Sequence, residues 1–169
     1  MTANEKVLRH RHMRKEFGVL ECSSHSRERD LIAAMAETMY AARGIGLAAT
    51  QVGVMHRLLV YRVEPDAPVA SLVNPVLEWQ SEDTETAEEG CLSLPGVLVE
   101  VERPVHVRVR GADERGDALV IEASGLEARV IQHEMDHLDG VLILDRCSRD
   151  QRKQAMRTLR EQLEPTAAA

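Results

Sequence analysis

Two histidines and a glutamate occupy the stretch of this chain whose spacing most clearly predicts chemistry. His133, Glu134 and His137 form an H-E-x-x-H pattern. In a helix, residues four positions apart share one face, with side-chain origins roughly 5–6 Å apart, so two imidazoles can bind one metal ion. Glu134 lies beside them, where a carboxylate can accept a proton from a metal-bound water. The alternative is a solvated helix that carries two histidines and no metal.

The surrounding sequence predicts that this motif is helical. Ser124 followed by Glu127 has the form of a capping box, and Gly140 is placed to end the helix. Apolar residues at helical spacing are expected to form one face of the helix, and they are Leu126, Val130, Ile131 and Leu138.

A catalytic metal site normally has three protein ligands and a water, so the two histidines need a third partner. The glutamate or third histidine that would complete a metallopeptidase site is absent at the expected spacings after His137. Cys91, between Gly90 and Pro95 in a segment predicted to be a loop, is the best remaining candidate. A free cysteine taken alone is more often a small buried hydrophobe, so both interpretations stay open here.

A second segment, from Gly44 to Gly53, is built largely from small residues. Gly44 is predicted to end a preceding helix, and small residues let this backbone approach a ligand or another backbone closely. The segment is not a phosphate-binding P-loop, because the Lys-Ser/Thr pair is missing and no strand precedes it. Gln51 is the one amide in the stretch, and it either bonds to the backbone or serves a site.

Composition limits the function classes. The 169 residues carry a formal net charge of -7, which argues against a general nucleic-acid binder because phosphate neutralisation needs clustered Lys and Arg. Three cysteines, Cys22, Cys91 and Cys147, are a poor disulfide framework and favour a reducing compartment. The N-terminus lacks the apolar core of a signal peptide, and no apolar run reaches the roughly 20 residues that span a bilayer. We therefore expect a cytoplasmic protein.

Periodicity predicts a single α+β domain over residues 1–169, with mixed or antiparallel sheets around a central metal-binding helix and with N-terminal and C-terminal helices. Residues 1–25 are predicted to be a weakly defined arm. An amphipathic helix capped by Ser26 follows, and a capping box of Ser148 and Gln151 is expected to open the last helix. Pro75 implies an edge strand or a bulge, and the acidic run 81–90 is expected to be solvated surface. The predicted helices are 26–42 and 148–163, and the predicted strands are 57–63, 71–79, 97–101, 104–110, 118–123 and 141–144.

Three motifs in this order resemble those of the peptide deformylase family. They are G-x-G-L-A-A-x-Q at 44–51, E-G-C-L-S at 89–93 and Q-H-E-x-D-H at 132–137. The similarity extends from about Glu37 to Arg146, whereas the first 25 residues depart from the usual family opening. The resemblance implies removal of the formyl group from N-formylmethionyl nascent peptides, with release of formate.

The resemblance also implies the roles of the central residues. Cys91, His133 and His137 would bind one divalent metal, with Fe(2+) as the native ion and Zn(2+), Ni(2+) or Co(2+) as substitutes. Glu134 would take the proton of the metal-bound water and return it to the leaving amine.

The remaining implied roles concern the substrate and its surroundings. The Gln51 amide and the Leu92 backbone N–H would stabilise charge on the formyl oxygen. Asp136 would pair with Arg103 and orient the metal ligands, with a surface salt bridge as the alternative. The substrate would meet the Gly46 backbone and an apolar pocket with Glu89 near its mouth; the pocket candidates are Ile45, Leu126 and Ile131.

The terminal helix has a basic face, which is either solvated or a contact with ribosomal RNA. Its residues are Arg149, Arg152, Lys153, Arg157 and Arg160. We expect no membrane partner and no specific DNA. Two other functions are alternatives: a metallopeptidase that cuts internal bonds, and a formyl-peptide or ribosome-binding module without catalysis.

Overall fold

The computed structural model describes residues 25–163. The predicted N-terminal arm therefore lies outside the described residues, apart from its last position, and Cys22 lies outside them too. Within the described part, helices and strands follow in this order: α1 His25–Ala41, β1 Gly46–Ala48, a 3-10 turn Ala49–Val52, β2 Leu58–Tyr61, β3 Ala70–Gln80, β4 Thr84–Cys91, β5 Leu94–Pro104, β6 His106–Ala112, β7 Ala118–Ser124, α2 Gly125–Leu138, α3 Ile143–Arg146 and α4 Arg149–Leu163.

The strands form two antiparallel sheets. One has five strands in the order β1-β2-β3-β6-β7, and the other is the β4–β5 hairpin. Along β6, Val107 and Val109 are buried while His106, Arg108 and Arg110 are exposed, which is the alternation that the sequence predicts for a half-buried strand. These antiparallel sheets together with the helices confirm the predicted α+β class.

The strand that contains Pro75 lies inside the five-stranded sheet, between β2 and β6. Its register against β6 shifts between Val73 and Val76, so the proline sits in a bulge. Of the two alternatives for Pro75, the structure contains the bulge and not the edge strand.

Helix α1 buries Met35 and Met39 against residues of β1 and β2. It begins at His25, so Ser26 lies within the helix and not at its cap. After the helix, the left-handed residue is Arg43, with φ of 56°, although glycine is the usual residue in this conformation. A Cβ at Gly44 would lie 2.7 Å from Cδ1 of Leu92, so this side-chain end would have to shift to admit one.

The acidic segment forms strand β4, which the sequence analysis does not predict, but most of its residues are exposed, as expected of solvated surface. Along β4 only Glu89 and Cys91 are buried. The segment therefore lacks the alternation of apolar and polar residues from which a strand is predicted. Cys91 ends the strand at the tip of the hairpin, where it pairs with Leu94, and does not lie in a free loop.

Helix α2 begins where predicted, but the capping box is not formed. The Ser124 hydroxyl is bonded to Nδ1 of His106 at 2.8 Å, and Glu127 accepts a hydrogen bond of 2.9 Å from the Tyr61 hydroxyl. Both side chains thus bond to residues distant in the sequence and not to the backbone at the start of the helix. Gly140 follows the helix with φ of 70°, as its sequence position suggests.

Two predictions near the C-terminus need correction. The apolar run 141–144 is buried, but it leads into the helical turn α3 and forms no strand, because a short apolar run does not distinguish the two. At the start of α4, the backbone N–H of Gln151 donates to Ser148 at 3.3 Å, while the Gln151 amide donates instead to Glu100. Only half of that capping box is therefore present.

No helix between residues 25 and 163 combines the length and the apolar character needed to cross a bilayer.

Candidate metal centre

Three potential ligand atoms converge between the hairpin and α2. Nε2 of His137 lies 3.2 Å from Sγ of Cys91 and 3.2 Å from Nε2 of His133, and the three atoms all lie within 4.8 Å of one another. Neighbouring nitrogen ligands of a tetrahedral zinc ion are about 3.3 Å apart, given the usual bond lengths. One thiol and two imidazoles suit a divalent transition metal, so these residues fit such an ion in both spacing and chemistry.

The ligands come from two separate elements. Cys91 closes strand β4, whereas His133 and His137 lie on successive turns of α2 with their rings edge to face, 4.9 Å between centroids. The last turn of α2 is fixed in part by Thr50, whose buried hydroxyl donates to the His137 carbonyl at 3.0 Å. No pattern in the sequence indicates this role of Thr50.

Glu89 contacts the His133 ring at Nδ1, the nitrogen that faces away from the cluster of ligand atoms. Its Oε2 lies 3.0 Å from Nδ1 of His133, and it accepts two hydrogen bonds from Arg103, of 2.6 and 2.8 Å. A carboxylate on the far nitrogen of a ligating histidine fixes the ring and its tautomer. Glu89 lines the cavity and is only 6% exposed.

The charge state of Glu89 follows from its partners. Burial alone would raise the pKa of Glu89, but the hydrogen bonds from Arg103 and His133, and the charges on these residues, outweigh burial and hold the pKa at about 2. Glu89 is therefore an anion at neutral pH, as an acceptor for the Arg103 guanidinium should be.

The expected pair of Asp136 and Arg103 is present, at 2.9 Å, and it is buried and not a surface salt bridge. Asp136 also accepts hydrogen bonds from Nε of Arg146, at 3.0 Å, and from Nη2 of the same residue. Arg129 adds a further cation, 2.9 Å from Glu89. Neither Arg129 nor Arg146 was singled out from the sequence. Arg129 did offer a usable signal, because it lies between apolar residues of the helix, one turn before a ligand.

Glu134 lies beside the ligands and is 4% exposed. Its Oε2 has no hydrogen-bond partner among the described residues. Gly46 lies directly against it, since a Cβ there would be 2.9 Å from Cγ of Glu134. Burial raises the pKa of Glu134 to about 7, although the charges on His133 and Arg103 lower it in part. A carboxyl group with this pKa can both accept and donate a proton at neutral pH.

Gln51 reaches the centre from the 3-10 turn. Its Oε1 accepts a hydrogen bond of 2.8 Å from the Ala48 backbone, and its Nε2 donates to Oγ of Ser93 at 3.1 Å and lies 3.9 Å from Sγ of Cys91. The oxygen thus has a structural role, while the nitrogen faces the site. Ser93 had not been singled out from the sequence.

A cavity of about 870 Å³ adjoins the centre, and Cys91, His133 and Glu134 form part of its wall. Ile131 does not line it, because this side chain is fully buried in the core beneath the five-stranded sheet. Val130, one position earlier on α2, faces the cavity instead. Leu126, expected on the apolar face, is 55% exposed at the cavity. Besides Cys91, His133 and Glu134, the predicted site residues that line the cavity are Ile45, Gly46, Gln51, Glu89, Leu92 and Leu126.

Comparison with known proteins agrees with this geometry. A family model described as polypeptide deformylase matches residues 1–153. A peptide deformylase of Thermosynechococcus vestitus is 52% identical over 121 residues, which are 70% of this chain and 64% of that protein. Peptide deformylase 1 of Burkholderia multivorans is 51% identical over 120 residues, 70% of this chain and 66% of that one. The matched region thus spans slightly less than two thirds of either relative.

Solved structures show the same fold. The peptide deformylase of Thermus thermophilus has a TM-score of 0.80 and 40% identity, and the match covers 89% of each chain. That of Synechococcus elongatus, solved in complex with actinonin, has a TM-score of 0.79 and 40% identity, over 92% of this chain and 85% of that one. With the motifs, the clustered thiol and imidazoles and these matches in hand, the chain belongs to the polypeptide deformylase family.

Proposed function

We propose that this chain is a metal-dependent hydrolase that removes the formyl group from N-formylmethionine at the start of newly synthesised polypeptides. The observation that carries the proposal is the buried Glu134 carboxylate, one oxygen of which has no hydrogen-bond partner within residues 25–163, beside the clustered donors of Cys91, His133 and His137. All four residues lie at or beside one cavity large enough for a peptide end. The names of the solved relatives point to the same activity.

Cys91 Sγ and the Nε2 atoms of His133 and His137 would hold the metal. A bound divalent ion supplies Lewis acidity and lowers the pKa of its water toward neutrality. We propose Fe(2+) as the native ion, with Zn(2+), Ni(2+) and Co(2+) as substitutes. Protein loaded with iron should lose activity in air, whereas protein loaded with zinc should not.

Glu134 moves the protons. Its free oxygen accepts a proton from the attacking water, and the resulting acid donates it to the amine of methionine as the C–N bond to the formyl carbon breaks. Gln51 Nε2, which has a second hydrogen besides the one donated to Ser93, and the Leu92 backbone N–H would donate to the formyl oxygen while negative charge develops there. A donor of this kind is worth roughly 3–4 kcal/mol of transition-state stabilisation.

The cavity wall explains why methionine would be selected. Ile45, Leu126 and Val130 line it with apolar surface, which buries an unbranched thioether side chain without demanding a polar partner. The Gly46 backbone lies next to Glu134, where an extended peptide can pair with it as an added strand does.

The direct test is hydrolysis of formyl-Met-Ala-Ser by protein purified without oxygen. We expect stoichiometric formate and intact Met-Ala-Ser, detected by mass spectrometry. Cleavage between methionine and alanine would instead identify a metallopeptidase. Binding of the peptide to metal-loaded protein without any product would identify a binding module, and either result would overturn the proposal.

We also propose that the basic face of α4 contacts the ribosome. Four of its residues are exposed, Arg149, Lys153, Arg157 and Arg160, whereas Arg152 pairs with Asp145 at 3.3 Å. The triple change of Lys153, Arg157 and Arg160 to Gln should weaken ribosome co-sedimentation and make it less sensitive to salt. Formate release from the short peptide should be unchanged. Loss of both together would show that the face serves folding.

A further inference from the structure

The hairpin and the helix that share the metal centre belong to different parts of the fold. Strands β4 and β5 form a sheet of their own and make no ladder with the five strands that adjoin α2. Cys91 lies on the hairpin and the two histidines on the helix, so contacts between these two elements contribute to the distance between the ligands.

Arg129 makes several of these contacts. It lies on α2 one turn before His133 and is 9% exposed. Its Nη1 donates to Oε1 of Glu89 and to the carbonyl of Val101, both at 2.9 Å, and its Nη2 donates to the carbonyl of Glu85 at 2.7 Å. One guanidinium from the helix therefore holds both strands of the hairpin.

We propose that Arg129 is a positioning residue for the metal centre. By binding Glu85 and Val101, it fixes the hairpin that carries Cys91 against the helix that carries the histidines. By binding Glu89, it fixes the carboxylate that orients the His133 ring. The rigid, planar fork of arginine can satisfy three acceptors in these directions, whereas a lysine ammonium in the same place reaches fewer.

The role of Arg129 differs from that of Arg103, which also bonds to Glu89. Arg103 lies on β5, so its bonds to Glu89 stay within the hairpin, and its bond to Asp136 reaches α2 beside the last ligand, His137. Arg129 extends from α2 to β4 and β5 near the first histidine. Loss of a group that supports a metal ligand typically weakens metal affinity about 10- to 100-fold.

The test uses cobalt-loaded protein and three variants: Arg129→Met, Arg129→Lys and, as the matched control, Arg108→Met. Arg108 also makes a short ion pair, 2.6 Å from Glu122, but on the exposed face of the sheet. The measured quantities are the Co(2+) dissociation constant, by competition with a chelator, and the visible absorption of the thiolate-bound cobalt. Thermal unfolding reports the integrity of the fold.

We expect Arg129→Met to weaken Co(2+) binding about tenfold and to alter the cobalt spectrum, with partial rescue in Arg129→Lys and no change in Arg108→Met. Unchanged affinity and spectrum in Arg129→Met would overturn the proposal, even if its melting temperature falls. If that variant does not fold, a folded Arg129→Lys with wild-type affinity and spectrum overturns it equally. The inference rests on the metal site proposed above, but formate release by the wild-type protein tests that function separately.

Discussion

Two ion pairs of the same chemistry and the same length lie in opposite surroundings in this protein. Arg103 and Glu89, beside the metal centre, are 2.6 Å apart, with side chains 4% and 5% exposed. Arg108 and Glu122, on the outer face of the five-stranded sheet, are also 2.6 Å apart, with side chains 48% and 69% exposed. The distance between the charges therefore says little about what each pair does.

Water makes the difference between the two pairs. On the sheet face, solvent screens the charges and competes for each hydrogen bond, so such a pair is worth about 0–1 kcal/mol. At the centre, neither partner can return to water when the other is removed, and the remaining buried charge is strongly destabilising. The buried pair thus holds Glu89, and through it His133, in one geometry.

The largest effect is expected from Arg103→Met, which leaves Glu89 and Asp136 with fewer buried partners. The free energy of unfolding, measured with urea at saturating metal, should fall by about 3–5 kcal/mol. If the free energy of unfolding falls by less than about 1 kcal/mol, the buried pair stabilises the fold no more than an exposed pair does. The proposed difference between the two pairs would then be wrong.

Gly46→Ala should affect chemistry more than stability. The new Cβ would lie 2.9 Å from Cγ of Glu134 and force that carboxylate to move. A displacement of about 1 Å at a catalytic group can cost about 100-fold in kcat/KM, which is about 2.7 kcal/mol. Metal content should stay at the wild-type level. Wild-type kcat/KM would show that the position of Glu134 tolerates this change.

Two threonines extend the comparison to neutral groups. Thr50 donates to the His137 carbonyl in the core, and Thr38 donates to the Ala34 carbonyl on an exposed helix face. Thr50→Val should lower the free energy of unfolding by about 1–3 kcal/mol, because a buried carbonyl loses its donor. Thr38→Val should change it by less than about 0.5 kcal/mol. Equal effects in the two variants would contradict the importance given to burial.

Arg108→Met should have the smallest effect, a loss of about 0–1 kcal/mol in the free energy of unfolding. Whatever effect exists should shrink as salt is added, since exposed charges are screened. An effect above about 2 kcal/mol, or one independent of salt, would show that the sheet-face pair is stronger than its exposure suggests.

Much of the fold was predictable wherever apolar residues repeat with a clear period. The alternation of Val107 and Val109 predicted β6 correctly, while β4, which buries only Glu89 and Cys91, was missed. Local pairings such as Ser124 with Glu127 failed because tertiary partners took the same atoms.

The candidate site also has a part that could be predicted from the sequence and a part that could not. The types and spacing of its central residues, together with the family resemblance, suffice to single out Cys91, His133 and Glu134. The partners of the supporting arginines cannot be predicted from the sequence, because residues such as Arg129 and Glu89 are 40 positions apart along the chain and meet only when the hairpin packs on α2. Ile131 shows the limit within a helix, where a shift of one position turns a side chain from the cavity into the core.

The central claim is that Glu134 carries the proton at a centre built by Cys91, His133 and His137. Its most direct test compares formate release by the wild-type protein and Glu134→Gln, each loaded with the same metal and assayed for bound metal. We predict a loss of at least about 100-fold in kcat, with metal content unchanged. Equal rates in the two proteins at equal metal content would contradict the account.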